Sequence, residues 1–147
     1  MYKRILVPLD NSPTDVPIVA HVLELARHCG ASLVLIHVAD GFAARNLKQL
    51  ELRESEEIRK DRTYLDEIAA RISATGLTVD AILSSGDPSE EIVAAAAREK
   101  CDLIAMGTHG HRFIKDIFFG SVANEVRHKS FVPVLLVRGR PGERPAT

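Results

Sequence analysis

Apolar residues gather in five short runs, at positions 4–9, 32–38, 79–83, 102–106 and 132–137. Most are near-continuous rather than alternating, which is the pattern of strands covered on both faces, as in a parallel sheet. The third run is interrupted by Asp80. That polar position predicts a place nearer a sheet edge.

Between the runs the apolar period lengthens to that of a helix. Val19, Val22, Leu23 and Ala26 follow i, i+3, i+4, i+7, and Gly30 stands where a helix would be capped. Ile58, Leu65, Ile68, Ala69 and Ile72 form a longer stripe closed by Gly76. The mixed-charge run of Glu54, Glu56, Glu57, Arg59, Lys60, Asp61 and Arg62 predicts a solvated face of that helix. Asp87-Pro88-Ser89-Glu90 reads as an N-cap, a proline at the first helical position and an acid in the first turn, with the helix continuing through Ile92, Val93 and Ala96 to Lys100. Ser121 is predicted to cap a last short helix carrying Val122, Ala123 and Val126. Residues 39–50 show no clear period and are expected to link strand to helix. The order β-α-β-α-β-α-β-α-β predicts a parallel sheet with helices on both faces and right-handed crossovers.

Composition narrows the function classes. The 147 residues suit one domain, expected over 1–138, and the tail 139–147 lacks apolar groups to bury and is expected to be flexible. Nineteen basic and twenty acidic residues give a net charge of −1, so the total carries no footprint of a nucleic-acid partner. No apolar run approaches the ~20 residues of a membrane helix. The N-terminal apolar run is also too short for a signal peptide core. Cys29 and Cys101 have no metal-type spacing. A cytoplasmic protein with reduced thiols, its cysteines packed as small hydrophobes, is expected.

In an open parallel sheet, ligands bind beyond the carboxyl ends of the strands, where strand order reverses. The first strand is followed by Asp10-Asn11-Ser12-Pro13-Thr14-Asp15, which is not the glycine-rich turn of a dinucleotide fold, and no G-x-x-x-x-G-K-[ST] P-loop occurs. The fourth strand is followed by Met106-Gly107-Thr108-His109-Gly110 and, after nine further residues, Gly120-Ser121. Glycines in such a run let backbone N–H groups approach an anion, and a helix start at Gly120-Ser121 would add a positive dipole end and a hydroxyl. The alternative is that the glycines only make turns and Ser121 only caps its helix.

The sequence resembles the ATP-binding subgroup of the universal stress proteins over essentially residues 2–138. The carriers are Ile5-Leu6-Val7-Pro8-Leu9-Asp10-Asn11-Ser12, the His37-Val38 strand end, Gly86-Asp87-Pro88, the run 102–107, the G-x2-G-x9-G-S signature and Pro133-Val134-Leu135-Leu136-Val137. The family's usual opening has glycine where this chain has Asn11, a mild departure because asparagine tolerates left-handed backbone. The resemblance implies a five-stranded parallel sheet of order 3-2-1-4-5. It implies that Pro8, Leu9 and Asp10 line the adenosine end, with Asp10 near base or ribose, and that Val38 meets adenine through its backbone. Met106 and Gly107 would flank ribose and α-phosphate, while His109, Gly110, Gly120, Ser121 and Val122 would hold the polyphosphate. ATP or another adenine nucleotide is the implied ligand, with Mg²⁺ held through the phosphates rather than by a protein cage. Antiparallel pairing of the last strand, 133–137, across a two-fold axis is also implied, giving a homodimer. An apolar edge strand independently invites such pairing.

Other marked residues divide between chemistry and packing. His109 and His111 form H-x-H without further ligands for zinc, and both are plausible donors to phosphate. Arg112 and Lys115 could reach the same phosphates. Phe113, Phe118 and Phe119 would pack the loop onto the sheet or form a partner surface. Four functions follow. The first is a nucleotide-dependent regulatory module of the stress response with at most slow hydrolysis. The second is a genuine ATPase, for which Asp116, His109 and Arg112 are candidates only by proximity, so no catalytic residue is assigned. The third is a nucleotide-independent dimeric scaffold. The last, a phospho-receiver, would need an acceptor aspartate where the third strand ends in Ser84-Ser85-Gly86.

Overall fold

The computed structural model describes residues 1–40, 48–108 and 117–139, with the backbone alone at 40, 48–55 and 117–120. The elements run β1 (Arg4–Pro8), α1 (Asp15–Cys29), β2 (Ser32–Asp40), α2 (Lys48–Ser73), β3 (Val79–Gly86), α3 (Pro88–Arg98), β4 (Leu103–Thr108), α4 (Ile117–Lys129) and β5 (Val134–Arg138). The strands form one parallel sheet in the order β3-β2-β1-β4-β5. Both the alternation of elements and the implied strand order therefore hold, and the strand carrying Asp80 lies at an edge.

The period of two within each strand sorts side chains between two cores. Ile5, Val7, Leu33, Leu35, Leu103 and Ala105 face α1 and α2, where they meet Ile18, Val22, Leu65 and Ile72. Leu6, Val34, Ile36, Ile104 and Met106 face α3 and α4 with Ile92, Ala96 and Val126. Two helices on each face follow from the topology. The chain moves outward from β1 through β2 to β3, then crosses back to β4 and β5, so crossovers of one hand place the last two helices on the opposite side.

Local chemistry sets most helix ends as expected. The Asp87 carboxylate accepts from Glu90 N–H at 3.0 Å, and Pro88 opens α3. Gly30 closes α1 at φ 67°, and Gly76, at φ 93°, follows α2. Several boundaries move. β2 runs on to Asp40 and α2 starts at Lys48, so residues 39–40 and 48–50 of the expected 39–50 link belong to these two elements, and 41–47 lie outside the described residues. β3 extends to Gly86, while α3 ends at Arg98 rather than Lys100, whose φ is 55°. α4 begins at Ile117, so Gly120 and Ser121 lie within the helix and Ser121 is not its cap. The apolar residues Ile117, Phe118 and Phe119 continue a helical run upstream of the serine.

The stripe of α1 is also rotated from its expected face. Val22 and Ala26 are buried with Ile18, whereas Val19 and Leu23 turn toward a groove between α1 and α2. Cys101 is buried and Cys29 half-buried, neither in a disulfide. Burial pushes the Cys101 thiol up to about 11.

Candidate functional site

Strand order reverses between β1 and β4, and there the ladder stops early. Paired positions are Ile5↔Leu103 and Leu6↔Ile104, whereas β1 stays paired with β2 as far as Pro8↔Ile36. Proline gives the physical reason. Peptide groups of alternate residues in a parallel strand point to opposite neighbours. Leu9 N–H donates to Ile36 C=O on β2, and Arg4 C=O accepts from Asp102 N–H on the β4 side. Pro8 shares the parity of Arg4, so its nitrogen faces β4, and it carries no hydrogen to donate. The carboxyl ends of β1 and β4 are thereby left unpaired at the switch point.

Three elements fix the loop that leaves β1. The first is β4. A Cβ on Gly107 would lie 3.1 Å from the Thr14 carbonyl oxygen, so glycine here admits the N-terminal end of α1. The second is β2. The His37 ring sits with Nδ1 2.8 Å from the Leu9 carbonyl oxygen. That oxygen can only accept, so Nδ1 donates. The third is α2, through Asp61 and Tyr64. The Asp61 carboxylate lies 3.1 Å from His37 Nε2 and accepts from Asn11 Nδ2 at 3.3 Å. Tyr64 donates to Asp15, whose carboxylate also accepts the N–H groups of Asp10 and Asn11 at 3.1 and 2.8 Å. Asn11 takes the left-handed conformation at φ 58° that the sequence anticipated.

Asp15 is the least solvated acid of this network, with 3% of its surface exposed. Burial, with the neighbouring Asp10 charge adding to it, pushes its carboxyl up to about 7, against the lowering effect of the Tyr64 hydrogen bond. The Tyr64 hydroxyl is in turn driven upward by burial and by Asp15.

The residues expected at the site fare differently. Pro8, Leu9 and Asp10 lie at the end of β1, but the Pro8 and Leu9 side chains are buried, and the Leu9 N–H and C=O are taken by Ile36 and His37. The Asp10 carboxylate is engaged by Ser12 and Thr14 hydroxyls. Val38 is half-buried on the α3–α4 side, next to His37. Met106 is fully buried and Val122 nearly so, both packed toward α3 and α4, so neither side chain is open to a ligand. Gly107 is buried beside them, and the close approach that it permits is that of Thr14. Gly120 lies in the first turn of α4, and Ser121 is exposed on the same helix. His109, Gly110 and Arg112 lie outside the described residues, as do His111, Phe113, Lys115 and Asp116.

Sequence reasoning missed His37, Asp15, Asp61 and Tyr64 as site neighbours. Glu56, Glu57, Arg59, Lys60 and Arg62 are exposed as the charge run predicted, but Asp61 is turned inward, its side chain 18% exposed against the 12% of His37. Among the described residues, no group of three or more His, Cys, Asp or Glu is placed to hold a metal ion. A groove of about 440 Å³ between α1 and α2 is mostly apolar and meets this network only at Asp15 and Tyr64.

The strand order, the two helix layers and the early end of the β1–β4 ladder define an open parallel α/β protein, a class in which ligands generally bind at the switch point. The family model of the universal stress protein family matches residues 1–138, and the chain belongs to that family. Universal stress protein MJ0577 of Methanocaldococcus jannaschii is 34% identical, over 94% of this chain and 96% of its own length. The solved structure of MJ0577 superposes with a TM-score of 0.86 at 32% identity, covering 97% of this chain and 99% of that one. Two more distant structures share the fold. A universal stress protein in complex with cAMP has a TM-score of 0.69 at 23% identity, covering 93% of this chain and 97% of its own. The universal stress protein from Archaeoglobus fulgidus in complex with dAMP gives 0.68 at 24%, covering 92% and 97%.

Proposed function

We propose that this protein is a nucleotide-dependent regulatory module of the stress response that binds ATP or another adenine nucleotide at the β1–β4 switch point. The observation that carries the reading is the early end of the β1–β4 ladder at Leu6↔Ile104, directly before the strand that leads into Gly107, Gly110 and Gly120-Ser121. Strand ends left unpaired there would make room for a nucleoside, and the glycine run would supply backbone donors for its phosphates. The fold itself accommodates adenine nucleotides, since two chains that share it were solved with cAMP and dAMP. In this chain Leu9, Asp10 and the Val38 backbone would meet adenosine, while Gly107, His109, Gly110, Arg112, Gly120 and Ser121 would surround the phosphates. A magnesium ion would be carried by those phosphates. Hydrolysis would be slow at most.

The test is equilibrium binding of ATP with magnesium to nucleotide-stripped protein, with Gly120→Val as the control. Saturable binding that the valine abolishes is expected. No binding by a folded wild type would overturn the reading. Steady-state phosphate release near the ~10 s⁻¹ of ordinary enzymes would instead make the protein an ATPase.

The same reading includes a homodimer through the edge strand. β5 ends the sheet order, its Leu136 is 43% exposed, and the preceding turn holds the fully exposed Phe131. Light scattering at micromolar concentration should give twice the chain mass, and a monomer mass would remove the dimer from the account.

A further inference from the structure

The first loop of the proposed site is held residue by residue, and α2 stands behind the holds made through His37, Asp15 and Asn11. Leu9 C=O accepts from His37 Nδ1, and His37 Nε2 faces Asp61. Asp10 and Asn11 present their N–H groups to Asp15, and Asp15 accepts from Tyr64. The Asn11 side chain donates to Asp61 directly. Asp61 and Tyr64 are three residues apart on α2 and so share one helix face. His37 also precedes Val38, so the same helix steadies the two strand ends nearest the base. Neither α1 nor β4 could substitute for this support. α1 starts from the loop itself, and β4 approaches it through Gly107 at the Thr14 carbonyl.

We propose that Asp61 and Tyr64 are positioning residues of the nucleotide site, fixing Leu9–Asn11 and the His37–Val38 strand end against α2, so that adenine-nucleotide affinity and the ordering of α2 are coupled. This rests on the reading above and adds to it the element through which occupancy is felt. Coupling is reciprocal: whatever α2 contributes to nucleotide binding, the bound nucleotide returns as protection of α2. Neither residue needs to touch the ligand.

The experiment compares the full-length wild type with Asp61→Ala, Asp61→Asn and Tyr64→Phe. ATP affinity is measured by calorimetry, and backbone hydrogen exchange is followed across α2 with and without ATP. Asp61→Ala should weaken ATP roughly five- to tenfold. Asp61→Asn should restore most of it, because its amide oxygen can accept from Asn11 while its NH₂ donates to a neutral His37 Nε2. A role limited to general stability would not separate alanine from asparagine in this way once melting midpoints are matched. ATP should slow exchange in α2 of the wild type and lose that effect in Asp61→Ala. Should Asp61→Ala melt too early for binding to be read, Tyr64→Phe, which removes one hydroxyl, carries the same decision with a smaller expected loss. Wild-type affinity in both variants, with no ATP-dependent protection of α2, overturns this inference and leaves the site in place. No ATP binding by the wild type overturns the site and this inference together.

Discussion

Asp15 concentrates the electrostatic cost of the site in one side chain. Its carboxyl is held near 7 in the folded protein against 3.8 for an ordinary aspartate, chiefly by burial. Between about pH 4 and 7 the unfolded chain therefore releases this proton while the folded chain keeps it. Stability from this group is full below the lower value and falls as pH rises through the window, by on the order of a few kcal/mol in total. Asp15→Asn removes the titration and keeps an oxygen for one of the two loop N–H groups, at a cost that does not vary with pH. Chemical denaturation from pH 4 to 8 should show the variant gaining on the wild type as pH rises. Parallel stability curves would show that Asp15 does not titrate in this window. Gly107 is the second residue-scale constraint. Gly107→Ala would set a methyl 3.1 Å from the Thr14 carbonyl, so either α1 or β4 must shift. A loss of about 1–3 kcal/mol in urea unfolding is expected, and wild-type stability would show that the Thr14 backbone yields the few tenths of an ångström the methyl needs. Neither feature was legible in the sequence. Asp15 and Tyr64 are 49 positions apart, and no periodic pattern marks a contact at that separation.

At the scale of elements, local rules placed the strands and several helix ends, and missed one helix start and one contact between elements. Continuous apolar runs gave all five strands, Asp80 gave the edge, and Asp87-Pro88 and Gly30 gave helix ends, because each depends on neighbours within a turn. Asp87→Ala should cost about 1 kcal/mol through the lost cap to Glu90 N–H, read as a lowered denaturation midpoint, and an unchanged midpoint would leave Pro88 as the effective helix start. The start of α4 was misplaced because serine is a good cap wherever it stands, while the apolar residues 117–119 extend the helix upstream of it. The charged face of α2 was read as uniformly solvated because composition cannot show which residue of a run turns inward. Asp61 turns inward because the end of β2 brings the imidazole of His37 against that helix.

At the scale of the whole molecule, direction of winding sets the switch point. The sheet grows from β1 to β3 with α1 and α2 on one face, then from β4 to β5 with α3 and α4 on the other. Inside the sheet it is β1 and β4 that send their following helices to opposite faces, as β2 and β3 do at its edge, and between β1 and β4 the ladder stops before Pro8. The alternation of elements was visible in the residues themselves. The strand order, and with it the position of the crevice, came from the resemblance to the family, since nothing in a single sequence fixes which strands are adjacent. The central claim is that an adenine nucleotide occupies this crevice. It is tested most directly by amide NMR shifts of ¹⁵N-labelled protein titrated with ATP and magnesium. The account predicts saturable shifts concentrated at Leu9–Asn11, His37–Val38, Gly107–Thr108 and the first turns of α4. Shifts confined instead to the groove between α1 and α2, or no shifts at saturating ATP, would contradict it.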